Sequence, residues 1–139
     1  MCLCISRHQN EQLLTWAHDA GEQECCGIML GQDNIVEEML LADNVAPDPA
    51  IHFEIDPMIL IAAEKAAREP GAAIIGYFHS HPNGLTQPSV IDATMAAADG
   101  RYWVILTIET VTAWRAVANG MLHRRFDPVP LVIDSIAQG

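Results

Sequence analysis

Apolar and polar positions change period several times along the chain, and each change predicts an element. Over residues 9–20, Leu13, Leu14, Trp16, Ala17 and Ala20 recur near helical spacing, and Gly21 supplies a stop. The runs 25–31 and 34–43 flank Gln32-Asp33-Asn34 and read as a hairpin. A polar, Pro-rich loop follows at 44–50, then a short strand, HFEID, at 52–56. Pro57 opens a helix that continues through residues 58–69 to a stop at Pro70-Gly71. Residues 72–81 predict a central strand, 82–88 a loop, and Ser89 the start of a helix reaching about Ala97. Three more strands are expected at 101–109, 111–118 and from Met121 to Phe126. No repeat or low-complexity segment interrupts this order, which predicts one mixed α/β (α+β) domain over 1–139, a sheet packed with two or three helices.

Composition narrows the class. In 139 residues, half are hydrophobic and 18% are charged, enough for a packed core and unlike a disordered chain. Apolar runs such as Met58 to Ala63 are far too short to span a bilayer, and the first residues lack a signal-peptide core. A cytoplasmic protein without membrane contact is expected. The net charge of −11 is lopsided: residues 1–70 carry 13 acids and 3 bases, residues 71–139 only 5 and 4. Such a surface repels phosphates, which argues against nucleic-acid binding. Cys2, Cys4, Cys25 and Cys26 read as reduced thiols, because Cys25 and Cys26 are adjacent within an apolar strand.

The densest chemistry lies in His79-Ser80-His81-Pro82-Asn83-Gly84-Leu85-Thr86-Gln87-Pro88-Ser89-Val90-Ile91-Asp92. Side chains two apart on a strand share a face, so His79 and His81 converge at its end. Asp92 stands in the first turn of the following helix. Two imidazoles and one carboxylate make an open three-ligand metal site of the kind that keeps a fourth position for water. Ser89-x-x-Asp92 is also a helix-capping pattern, but capping has no need of a His-x-His-Pro ten residues upstream. Water at such a site needs a base. Glu24 precedes the strand Cys25 to Gly31, Glu22 is its equally acidic neighbour, and spacing does not choose between them.

Other readings use the same residues. A thiol hydrolase would pair Cys25 or Cys26 with His79, without a basic setting for the thiolate. A non-haem iron oxygenase would reuse His79 and His81 and leave Glu24 and Ser89 idle. A zinc deaminase lacks its Pro-Cys-x-x-Cys half.

These residues resemble the JAMM (MPN+) metalloproteases, in which a Glu before a Cys-Gly-apolar strand is followed by His-x-His, seven residues, Ser, two residues and Asp. Here the pattern is Glu24-x-Cys26-Gly27-Ile28, then His79-Ser80-His81, Ser89 and Asp92, with Pro82 and Pro88 matching too. Asn44 and Phe53-x-Ile55-Asp56 look like the linking segment of small prokaryotic members, so the likeness runs over roughly 9–117. It implies a curved, mostly antiparallel mixed sheet flanked by helices, the cytidine deaminase-like MPN fold. It also implies one zinc on His79, His81 and Asp92, Glu24 as the base, and Ser89 as donor to the oxyanion. The implied reaction is cleavage of a peptide or isopeptide bond after the C-terminal Gly-Gly of a ubiquitin-like or sulfur-carrier β-grasp protein. Relatives that serve as inactive scaffolds typically lose a ligand, and this chain keeps them all. A DNA-repair-associated branch, RadC, shares His-x-His-Pro, but the acidic charge and the Glu24-Cys-Cys-Gly strand point away from it.

Overall fold

A computed structural model describes residues 1–67 and 73–134. The first element, β1 (Leu3–Ser6), runs straight into α1 (Arg7–Ala20). Ser6 caps that helix: its side chain accepts from Gln9 N–H while Gln9 Oε1 accepts from Ser6 N–H. That reciprocal pair starts α1 two residues before the apolar spacing does. The hairpin is present as β2 (Cys26–Gln32) and β3 (Ile35–Ala42), followed by α2 (Pro57–Ala66), which Asp56 caps. The expected stop at Pro70-Gly71 lies outside the described residues. Then come β4 (Ala73–Ser80), α3 (Val90–Met95), β5 (Tyr102–Leu106), β6 (Val111–Gly120), β7 (Arg124–Val129) and β8 (Leu131–Asp134).

The eight strands form one mixed sheet in the order β7-β6-β5-β4-β2-β3-β1-β8. Pairs β2–β3, β2–β4, β5–β6 and β6–β7 are antiparallel; β4–β5, β1–β3 and β1–β8 are parallel. This is the mixed α+β architecture expected. Apolar side chains cover both sheet faces. Leu13 and Ala17 of α1 join Met29, Phe78, Val104 and Leu106 in one cluster, and Trp16 stacks on Phe78 at 5.5 Å. On the other face Ala63 of α2 packs with Ile28 and Leu30, and Cys26, Phe53, Trp103 and Phe126 form a further cluster. β5 (YWVIL) is buried throughout, the unbroken apolar run of a strand covered on both faces. Among the described residues no helix is long and apolar enough to cross a membrane.

Three expectations are corrected. β1 and β8 were not foreseen: each has four residues, too few to display a period, and they find one another across the chain, Leu3 beside Leu131. HFEID is no strand; a single bridge, Asn44 to Ile55, stands in its place. The strand expected from Met121 to Phe126 begins at Arg124 instead, because Asn119, His123 and Arg124 all take positive φ and widen the turn. Pro128 inside β7 is tolerated because β7 is an edge strand.

Gly27 shows how tightly β2 packs between β3 and β4. A Cβ there would run into the Phe78 ring and the Leu40 carbonyl. Gly27→Ala is therefore expected to destabilise the protein by ~2 kcal/mol or more. Urea unfolding measures it, and a loss below ~0.5 kcal/mol would show that Phe78 and β3 move aside freely.

Candidate metal centre

The site is assembled by strand pairing. Cys26 lies opposite His79 in the β2–β4 register. Ser80, the last residue of β4, prolongs the ladder one residue beyond β2: its N–H donates to Cys25 O at 3.0 Å and its Oγ accepts from Cys25 N–H at 2.8 Å. Glu24, one residue further, is thereby brought to the end of β4. Its own N–H donates to Pro49 O and its carbonyl accepts from Asn44 Nδ2. Ser80 had no signal in the sequence beyond lying between two histidines.

Past Ser80 the chain turns. His81 N–H donates to Leu106 O, Gly84 N–H to His81 O, and Leu85 N–H to Asn83 Oδ1. Gly84 takes φ +79°, a conformation that a side chain would strain. This Asn83-Gly84 turn brings the Leu85 carbonyl to 2.9 Å from His81 Nδ1, which directs Nε2 inward. Thr112 Oγ1 holds the loop further along by donating to Thr86 O. Ser89 then caps α3: its Oγ accepts from Asp92 N–H, and its N–H donates to Asp92 Oδ2 at 2.8 Å. The capping reading of Ser89-x-x-Asp92 thus holds, and it also aims the Asp92 carboxylate. Among the described residues the Ser89 hydroxyl proton has no acceptor.

The result is a close triangle. His79 Nε2 and His81 Nε2 are 3.1 Å apart, and Asp92 Oδ2 lies 3.0 Å from each. All three residues are buried. Donors on a tetrahedral ion with bonds of ~2.0–2.1 Å stand roughly 3.3–3.4 Å apart, so three lone-pair donors so close fit a small divalent cation. His79, His81 and Asp92 are accordingly a group able to hold a metal ion.

Electrostatics separates the groups. Burial works against the charged form of Asp92, but hydrogen bonds with His79, His81 and the Ser89 N–H outweigh it and hold its carboxyl well below the ordinary range. Complete burial lowers the pKa of His79, with the Asp92 hydrogen bond opposing. In His81 burial is outweighed by Asp92 and the Leu85 carbonyl, and its pKa rises. Glu24 is buried and its Oε1 lacks a hydrogen-bond partner, whereas Glu22 is exposed. Burial pushes Glu24 up to about 7, with His81 pulling down and Asp92 adding to the rise. One cleft opens at His81 and another at Glu24. The first, about 340 Å³, is lined by Ser80, His81, Asn83 and Glu109; the second, about 630 Å³, by Trp16, Glu24, Asp43 and Asn44.

The cysteines do not compete. Cys26 shares the apolar cluster on the His79 side, yet burial pushes its thiol up to about 12. Burial also raises Cys25, so neither supplies a thiolate near neutral pH.

The family described as prokaryotic homologs of the JAB domain matches residues 6–117. "Tail tip assembly protein K" of Escherichia phage N15 is 33% identical over 93 residues, 66% of this chain and 36% of that protein. A "Desampylase" of Haloferax volcanii is 28% identical over 109 residues, 74% of this chain and 78% of that protein. A "Probable TtuB-protein conjugate cleaving protease" of Thermus thermophilus is 34% identical over 70 residues, 50% of this chain and 47% of that protein. The chain thus spans well under two thirds of the phage and Thermus proteins. The solution structure of a Desulfitobacterium hafniense protein superposes with a TM-score of 0.82 at 23% identity, covering 98% of this chain and 95% of that one. A structure described as a metalloprotease-like zinc site in the proteasome and signalosome has a TM-score of 0.57 at 17% identity, covering 95% and 99%. At these identities the structural likenesses show the fold. With sequence agreement from β1 into β6, around a two-histidine, one-aspartate cluster, the chain belongs to the prokaryotic JAB domain family.

Proposed function

We propose that this chain is a zinc-dependent isopeptidase or peptidase that cuts after the C-terminal Gly-Gly of a ubiquitin-like or sulfur-carrier β-grasp protein. The observation that carries it is the 3.0–3.1 Å triangle of His79, His81 and Asp92 beside a buried Glu24 whose Oε1 lacks a partner. His79, His81 and Asp92 would hold the ion, which would supply Lewis acidity at the scissile carbonyl and water as a nucleophile near neutral pH. A cation bound there would lower the Glu24 pKa and favour its ionised form. Glu24 accepts the proton that the attacking water releases and passes it to the leaving nitrogen. The Ser89 hydroxyl donates to the oxyanion that forms at the carbonyl carbon.

The ubiquitin-like class of partner is supported by the names of two relatives, a desampylase and a probable TtuB-protein conjugate cleaving protease. The fold offers a place for an extended tail. β3 meets β1 only at Ile35 and Gln9 Nε2 donates to Val36 O, so among the described residues its backbone edge is open from Glu37 to Ala42, where Leu41 and Ala42 line the cleft that holds Glu24. Backbone hydrogen bonds along such an edge bind a tail whatever its side chains, and glycines next to the cut let the backbone pass close to the ion. A thiol mechanism is disfavoured by the raised Cys25 and Cys26 values, and a scaffold has no use for a buried carboxyl whose Oε1 lacks a partner.

Wild-type protein is expected to carry about one zinc per chain and His81→Ala to lose most of it while remaining folded. Metal analysis with circular dichroism checks this; a wild type that takes up no zinc ends the hydrolase reading. Glu24→Gln should keep the metal and lose roughly 10²-fold or more in turnover, with Glu22→Gln near wild type. The reverse pattern would mean that Glu22 is the base.

The raised Glu24 pKa also has a sign in metal-free protein. Its folded value, about 7, exceeds the ordinary 4.5, so its stabilising contribution is complete below about 4.5 and is lost as pH rises through 7. Metal-free Glu24→Gln should gain in Tm on wild type between about pH 5 and about pH 8. A constant difference would place Glu24 in water.

Incubation with a carrier ending Gly-Gly-Cys and with a Gly-Ala-Cys variant, followed by mass, tests the substrate. The first should be cut and the second spared. Equal cleavage of both, or of neither beside turnover of an unrelated peptide, removes the carrier.

A further inference from the structure

The two imidazoles of the metal centre are oriented by different means. His81 has Nδ1 2.9 Å from the Leu85 carbonyl, a hydrogen bond that sets both its ring plane and its tautomer. His79 has nothing equivalent: Nδ1 is buried and without a hydrogen-bond partner among the described residues. What touches the His79 ring is aromatic. Phe53 stacks on it with centroids 4.2 Å apart and 20° between planes, and Trp103 meets it edge-on at 5.6 Å and 86°. A flat contact and an edge contact together leave the imidazole one plane, the one that puts Nε2 at 3.0 Å from Asp92 Oδ2.

Phe53 lies in an irregular segment held by a single bridge, in which Val45 N–H donates to Glu54 O and Asp56 N–H to Asp43 O, and by the Asn44 side chain. Its Nδ2 donates to His52 O at 2.9 Å and its Oδ1 accepts from Glu54 N–H at 3.0 Å, which ties down both chain neighbours of Phe53. The same Nδ2 donates to the Glu24 carbonyl at 2.9 Å.

We propose that Phe53 is a positioning residue for the metal ligand His79, its ring standing in for the missing Nδ1 hydrogen bond, and that Asn44 holds Phe53 and Glu24 in one frame. This rests on the metal centre proposed above. A phenyl ring carries neither charge nor a hydrogen-bonding group, so it selects the plane of His79 and leaves the tautomer to the ion. Removing it leaves the donor set intact and loosens one member, which weakens metal binding without abolishing it.

The test is binding of Co2+ to metal-free protein, read by visible absorption, with Zn2+ affinity from chelator competition and thermal melting measured alongside. Phe53→Leu should stay folded, bind Zn2+ ~10- to 100-fold more weakly and alter the Co2+ band, because loss of an orienting partner typically has that effect. Phe53→Met, also without a ring but more adaptable in packing, carries the same expectation should the leucine variant not fold. Phe53→Tyr restores the ring and should restore both affinity and spectrum. Asn44→Ala should weaken binding in the same direction, and adding Phe53→Leu to it should then cost less than in the wild type. Ringless variants with wild-type affinity and spectrum, or a folded Phe53→Tyr as weak as they are, overturn the role of Phe53; strictly additive losses overturn that of Asn44. A wild type that binds neither ion is a different result, since there the metal centre itself falls.

Discussion

Asp92 Oδ2 meets two imidazole nitrogens at 3.0 Å and the Ser89 N–H at 2.8 Å, and the arrangement around it depends on that convergence. A carboxylate withdrawn from water is costly unless hydrogen bonds or charge compensate it. Here the compensation comes from three separate pieces of chain: the end of β4, the residue just beyond it, and the first turn of α3. Each piece is fixed by its own local device. The β2–β4 ladder carries His79, the Asn83-Gly84 turn aims His81, and the Ser89 capping box aims Asp92.

A second carboxyl lies close enough for its charge to be felt at the same point, and its surroundings push it the other way. Asp92 is held ionised by its partners, while Glu24, buried without a bond to Oε1, is pushed up to about 7. Two neighbouring carboxyls whose environments separate their affinities for protons can differ in charge at one pH. The separation arises from placement alone. Glu24 enters the site because Ser80 extends the β2–β4 pairing past Cys26 to Cys25 and because Pro49 and Asn44 take up the Glu24 backbone groups.

The sheet makes this convergence accessible. Its buried faces take the apolar side chains, leaving the strand ends around residues 24, 80 and 106 for turns and clefts. Gly27 lies in the packed part, against Phe78, whereas the Asn44, Phe53 and Ser80 side chains bond or stack on Glu24, His79 and Cys25. The segment from Asn44 to Asp56 has little regular structure; hydrogen bonds of the Asn44 side chain and a few backbone bonds, such as Val45 N–H to Glu54 O, give it its shape.

By itself the sequence determined the long elements and the cluster of His79, His81 and Asp92. Alternation along a strand puts His79 and His81 on one face whatever surrounds them, and Ser89-x-x-Asp92 is a local capping pattern, so both are legible from neighbouring residues. The apolar periods of α1, β2, β4 and β5 were legible for the same reason. What depends on contacts between distant residues was not. The four-residue strands β1 and β8 exist because they pair with each other across the chain, and HFEID is shaped by the Asn44 side chain where its apolar content promised a ladder. Glu24 and Glu22 are equivalent acids in the sequence. Only packing buries one beside His81 and leaves the other in solvent, because burial belongs to the folded surface and not to the residue.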